Sequence, residues 1–214
     1  MKLEDTIFFY TRNDYLIVNN LLSGNMGQLW EFAEVSNGDS KWMLKAYEDG
    51  QRKLDRKSVA RYQGRIHETL DDSAKAKILA TAREDVANIL GAMKPAKRKL
   101  LLYRTVFIID DPLRPYAPPS YSAGDIAEFQ TITSTSLKPY REDAGFDFHR
   151  YEITVPKGGL VLKLDRFNRV IRNEDGEALL PPMRCKVTDV RGGDNEHCKG
   201  VVALEILENL PTKI

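Results

Sequence analysis

A chain of 214 residues with 42% hydrophobic and 29% charged residues is long enough to bury a sizeable core. Its formal net charge of +1 gives no global field that would recruit nucleic acid or a membrane surface. Met1 is followed at once by Lys2, Glu4 and Asp5, and no apolar run approaches the roughly 18 residues of a membrane span. The expectation is a cytoplasmic chain without a signal peptide and without membrane association.

The first half reads as helical. Ile7, Tyr10, Ile17 and Leu21 recur at helical spacing before a Ser23-Gly24 stop, and Met26, Leu29, Trp30 and Ala33 continue the pattern. A clearer helix is predicted after Ser73, where Ile78, Ala82, Val86, Ile89, Leu90 and Met93 share a face and Pro95 ends the run. Lys94, Lys97, Arg98 and Lys99 form a basic cluster of the kind found in solvated loops.

From residue 100 the period becomes that of strands. Leu100 to Ile109 is an apolar β-rich run, residues 110–120 form a Pro-rich connection, and Phe129 to Leu137 reads as a second strand rich in Thr and Ser. Tyr151, Ile153 and Val155 alternate before the turn Pro156-Lys157-Gly158-Gly159, and Leu160, Leu162 and Leu164 alternate after it. Met183, Cys185 and Val187 alternate again, and Val201 to Leu207 is the last strand. The whole, residues 1–214, reads as one α+β domain, helical over about 1–95 and β-rich and largely antiparallel over about 96–214. Cys185 and Cys198 are too few for a disulfide framework and suit a reducing compartment; with His197 they lack a fourth ligand at zinc spacing, so no metal is expected.

Three features of the β-rich half carry chemistry. Arg104 is the one charge inside the run LLLYRTVFII, read as a central strand, where an unpaired guanidinium costs several kcal/mol; it calls for an anion. The segment FQTITSTSL carries hydroxyls at Thr131, Thr133, Ser134, Thr135 and Ser136. The stretch EDGEALLPPM sets Glu174, Asp175 and Glu177 at the mouth of an apolar strand, where desolvating a carboxylate is costly. If the chain is extended there, Asp175 and Glu177 project to the same face.

Arginine, Ser-Thr-Ser and acid-x-Glu before Leu-Leu-Pro-Pro, in that order, resemble the Arg-Ser-Glu class of mono-ADP-ribosyltransferases. That class includes binary and C3-like bacterial toxins and the vertebrate arginine-specific enzymes. YTRNDYLIVNNLL is similar to the family's N-terminal helix, and EITVPKGGLVLKL to its strand, turn and strand ahead of the acidic loop. The resemblance covers residues 7–30 and 100–207. It implies a fold in which N-terminal helices pack on a split antiparallel β-sandwich, and NAD as co-substrate, held without the Gly-rich fingerprint of a Rossmann unit.

By position, the resemblance implies that Arg104 holds the phosphate and ribose side of NAD, that Ser134 orients the catalytic glutamate, and that Glu177 is that glutamate. Thr135 and Ser136 fall in the same cofactor-binding motif. Residues 137–150 take the place of the family's phosphate-nicotinamide loop, where Arg141 would contact pyrophosphate and Phe146 or Phe148 would stack on nicotinamide. His149 reads as structural.

A carboxylate beside a ribosyl carbon stabilises positive charge that develops only as nicotinamide departs. Asp175, two residues earlier, would then receive the acceptor. The expected activity is transfer of ADP-ribose to a host or target protein, with arginine as acceptor, and slow NAD hydrolysis as a side reaction; the chain would act as a toxin or effector delivered by a route it does not encode. Arginine-specific members carry Glu-x-Glu where this chain has Asp175-Gly176-Glu177, so another acceptor residue or a nucleic-acid base is an alternative, as is a non-catalytic module that uses the basic cluster on an acidic partner.

Overall fold

A computed structural model describes residues 3–11, 15–25, 27, 30, 71–108, 118–139, 146–167 and 176–212. They form two compact units, one made chiefly of the chain up to Ala92 and the other of Met93–Asn168 and Arg172–Pro211. Among the described residues no helix is long and apolar enough to cross a membrane.

The first unit is helical: α1 (Leu3–Phe9), α2 (Tyr15–Ser23) and α3 (Asp72–Ala92). The stripe Ile78, Ala82, Val86 and Ile89 on α3 is completely buried, as its three- and four-residue spacing requires, and α1 and α2 both pack on this helix. Ile7, Ile17 and Val18 fill the same interior. One polar pair is buried with them, Thr6 Oγ1 donating to Asp85 Oδ1 at 3.1 Å, which satisfies a carboxylate that would otherwise be costly there. The helix stops at Ala92, three residues before Pro95. Of the continuation expected after Gly24, Met26, Leu29 and Ala33 lie outside the described residues.

Among its described residues the second unit holds nine strands: β1 (Lys94–Pro95), β2 (Leu100–Phe107), β3 (Ile126–Phe129), β4 (Thr133–Thr135), β5 (Phe148–Val155), β6 (Leu160–Lys163), β7 (Ala178–Leu180), β8 (Met183–Arg191) and β9 (Cys198–Asn209). They make a four-stranded sheet in the order β1-β6-β7-β4 and a five-stranded sheet in the order β2-β5-β9-β8-β3. All pairings are antiparallel except β5 with β9. Leu102, Ile153, Cys185 and Leu204 from the larger sheet and Val161, Ala178 and Leu180 from the smaller one belong to a single apolar cluster, so the sheets close over one core.

Two readings of the sequence change. The Thr- and Ser-rich run expected as one strand is two, in different sheets: Phe129 ends β3, paired with Met183, whereas Thr133 begins β4, paired with Leu180. Ile132, 1% exposed, is buried at the crossing, and that burial is why the apolar pattern runs on without a visible break. The run holding Arg104 is also an edge strand of its sheet. Its odd-numbered residues Leu101 and Phe107 are exposed, and its even-numbered residues Leu102 and Val106 are buried. Apolar side chains on both faces of an edge strand imitate the pattern of a central one.

Candidate active site

The two sheets meet at the end of β4. Ser136, one residue beyond that strand, makes an isolated antiparallel bridge to Tyr103 of β2, with Tyr103 N donating to Ser136 O at 2.9 Å and Ser136 N to Tyr103 O at 2.8 Å. The edge of the small sheet is thereby stitched to the edge of the large one. Arg104, the next residue along β2, lies on the even-numbered, core-facing side opposite Tyr151. It is half-buried, and its Nη1 donates to the Ser134 carbonyl at 3.0 Å. Among the described residues no carboxylate pairs with it.

Glu177 comes to the same junction from the other side of β4. The ladder between β4 and β7 pairs Thr133 with Leu180, Ser134 with Leu179 and Thr135 with Ala178. Leu137 N donates to Gly176 O at 3.2 Å, which carries the same register on and sets Ser136 opposite Glu177. Opposed residues of an antiparallel ladder point to one side, so Ser134, Ser136 and Glu177 share a face. Ser134 and Glu177 are exposed and Ser136 is half-buried. On the far flank Leu164 N donates to Glu177 O at 2.9 Å, so the backbone that carries the carboxylate is held between two strands.

The alternating threonines turn the other way. Thr133 and Thr135 are 2% and 5% exposed, and Thr135 Oγ1 donates to Ala178 O at 2.8 Å. Thr135 spends its hydroxyl inside the protein, tying β4 to β7, and offers none to a bound molecule. Ser136 Oγ donates to the Lys138 carbonyl in the turn that follows.

Gly176 has φ of 69°, in the left-handed region that glycine enters without a Cβ penalty. The chain is therefore not extended between Asp175 and Glu177, and two-residue alternation does not carry across the motif. Asp175, Glu174 and Arg141 lie outside the described residues. Phe146 is 65% exposed and packs edge-on against Phe107, their ring centroids 6.2 Å apart, on the odd-numbered side of β2 away from the Arg104 side. Phe148 is 1% exposed in a small cluster with Cys198 and Val201, so its ring is occupied in packing.

The thiols are structural. Cys185 is buried in the main core, where desolvation pushes its pKa up to about 12, and Cys198 is buried in the smaller cluster. On the outer face of the large sheet Arg150, 8% exposed, pairs with Asp194, and its hydrogen bond holds that carboxyl below the usual carboxylate range. Asp147 is likewise held low, chiefly by the hydrogen bond from Lys199 (3.1 Å), which outweighs the opposing effect of desolvation, with a lesser contribution from His197. Arg150 lies opposite Thr105 in the ladder between β2 and β5, on the face of the sheet away from Arg104.

The junction thus offers one half-buried guanidinium, two serines and one exposed carboxylate within a ladder register of each other. Leu137, which packs on Gly176, is the residue that sequence reasoning missed; the residue after a Ser-Thr-Ser run carries no signal of its own.

No protein-family model matches the chain, and no curated protein is similar to it in sequence. Solved structures are similar in fold. The ATR domain of Salmonella SpvB superposes with a TM-score of 0.56 at 16% identity over 97% of this chain and 100% of that one. The catalytic domain of VahC from Aeromonas hydrophila gives 0.55 at 15% identity over 96% and 97%. An ADP-ribosyltransferase from Clostridium botulinum gives 0.50 at 13% identity over 96% and 87%. At such identities the likeness concerns the fold alone, and the fold is the α+β arrangement found in bacterial ADP-ribosyltransferases.

Proposed function

We propose that this chain is an NAD-dependent mono-ADP-ribosyltransferase that breaks the nicotinamide-ribose bond and transfers ADP-ribose to a protein, with arginine as the acceptor. The observation that carries the reading is the meeting of Arg104, Ser134, Ser136 and Glu177 at the seam of two sheets, in a fold that ADP-ribosyltransferases share. A scaffold used only for interaction has no need of that set.

The residues suit a dinucleotide. Arg104 gives one donor to the Ser134 carbonyl, which fixes the plane of the guanidinium, and its remaining donors match a pyrophosphate, for which a planar, always-charged fork is well shaped. NAD brings a glycosidic bond whose leaving group, neutral nicotinamide, needs no proton. Glu177 then supplies negative charge at the ribosyl carbon, where it counts most as the bond to nitrogen breaks. Ser134, on the face that Glu177 shares, orients that carboxylate. An incoming guanidinium nitrogen forms the new bond to carbon and gives up a proton, for which Asp175 is the assigned base. Water in place of the acceptor yields free ADP-ribose, the expected side reaction.

Arg141 and Phe146 belong to the proposal as contacts to pyrophosphate and nicotinamide, for which Phe146 would have to leave the Phe107 ring it packs against. The setting proposed is the cytoplasm of a target cell, reached as a toxin or effector. Incubating the protein with NAD labelled in its adenylate part and a eukaryotic lysate tests the function: the expected result is label on protein, carried on arginine side chains when the labelled peptides are sequenced by mass spectrometry. Label on nucleic acid would overturn the protein acceptor, and no label with intact NAD would overturn the transferase reading.

A further inference from the structure

Leu137 is a large apolar side chain left 44% exposed immediately after the Ser134-Thr135-Ser136 run, where neither core packing nor solubility calls for it. Its surroundings explain it. A Cβ built on Gly176 would lie 2.8 Å from Leu137 Cδ1, 3.2 Å from its Cβ and 3.3 Å from its Cγ, so the isobutyl group occupies the space above the glycine. The same two residues are joined through their main chains, Leu137 N donating to Gly176 O. Gly176 adopts φ of 69° directly before Glu177.

We infer that Leu137 is a positioning residue for Glu177: its side chain clamps the left-handed turn at Gly176 and thereby fixes the direction in which the carboxylate leaves β7. The inference rests on the assignment of Glu177 as the group that meets the ribosyl carbon. Without a side chain on Gly176, its own sterics leave other backbone angles open, since glycine has access to both signs of φ. The contact from Leu137 removes that freedom. It also makes the acidic loop report to the strand that holds Ser134 and, through the Ser134 carbonyl, Arg104. Seated this way, the carboxylate is aimed before substrate arrives, and preorganisation of that kind is what a charge acting only in the transition state requires.

The role belongs to turnover and leaves binding untouched. Leu137→Ala is expected to lower the kcat for NAD hydrolysis by about tenfold or more, in keeping with the sensitivity of rate to small misplacements of a reacting group. KM for NAD should stay within about threefold, because the donors on Arg104 do not move. Leu137→Met, which refills the space, should recover most of the rate. Gly176→Ala should lose at least as much as Leu137→Ala. The double variant should be no slower than Gly176→Ala alone, since removing the leucine makes room for the new methyl and the clamp can be lost only once. Losses that multiply in the double variant, or a Leu137→Ala enzyme with unchanged kcat, would overturn the inference.

Amide hydrogen exchange gives a readout that needs no activity. In Leu137→Ala the amides of residues 137 and 178 should exchange about tenfold faster or more, with the β8 and β9 amides unchanged. If wild-type protein leaves NAD intact, the transferase reading fails by itself, and unchanged exchange at these two amides would overturn the clamp separately.

Discussion

Arg104 donates to the main-chain carbonyl of Ser134, thirty residues further along the chain and in the other sheet, at 3.0 Å. The bond uses one guanidinium donor, and the proposed function gives the others to the phosphates of NAD. Arg104→Ala should therefore weaken NAD binding by about tenfold or more, the scale of losing hydrogen bonds to a charged group. Arg104→Lys should recover little of it, because an ammonium cannot hold the carbonyl and a phosphate in one plane. Calorimetry on folded variants checks this; wild-type affinity in Arg104→Ala would assign the charge to structure.

Thr135 should behave as a tie and not as a ligand. Thr135→Val keeps the β-branched shape and deletes only the hydroxyl that donates to Ala178 O, so it should cost about 1 kcal/mol in chemical denaturation. NAD affinity should stay within about twofold. A large loss of affinity with unchanged stability would return Thr135 to the binding site.

How much of this was legible in the sequence can be judged from these residues. Arg104 stood out because a charge interrupts an apolar strand, Ser134 and Glu177 were singled out only through the resemblance of their motifs to a known family, and most strands were visible through two-residue alternation. The partition of strands between sheets was not: Phe129 and Thr133 lie in one apolar-looking run, and only pairing partners from the far end of the chain, Met183 and Leu180, separate them. Pairing partners are non-local information. The Gly176 turn was hidden for a different reason, since a glycine between two acids fits an extended chain as well as a left-handed one. Leu137 could be understood only once Gly176 was beneath it.

Acid should loosen the outer face of the large sheet before the core. Asp194 is held below the usual carboxylate range by Arg150, and Asp147 by Lys199. A carboxyl whose folded pKa is depressed contributes stability that is complete above its unfolded pKa and is lost as pH falls through the folded value. The denaturation midpoint of wild-type protein should thus fall below about pH 4, where ordinary carboxylates protonate. Asp194→Asn should start lower at neutral pH and show a shallower decline in acid; an identical slope would mean that the pair contributes nothing.

Under the proposed transferase reading, Asp175 is the residue that tests the acceptor. Asp175→Ala should abolish transfer to protein and leave NAD hydrolysis within about threefold, because bond cleavage needs Glu177 and transfer needs an oriented acceptor as well. Glu174→Ala serves as the control. Loss of transfer in Glu174→Ala alone would shift the acceptor-side role by one residue, and full transfer in both would remove arginine as the acceptor.

The most direct test of the account is nicotinamide release from NAD by wild-type protein and by Glu177→Gln, measured side by side with NAD affinity. Wild-type protein should release nicotinamide, and Glu177→Gln should be slower by about a hundredfold or more with affinity within severalfold, the pattern of a charge that acts only in the transition state. Equal rates for the two proteins, or a wild type that leaves NAD whole, would contradict the assignment of Glu177 as the catalytic carboxylate.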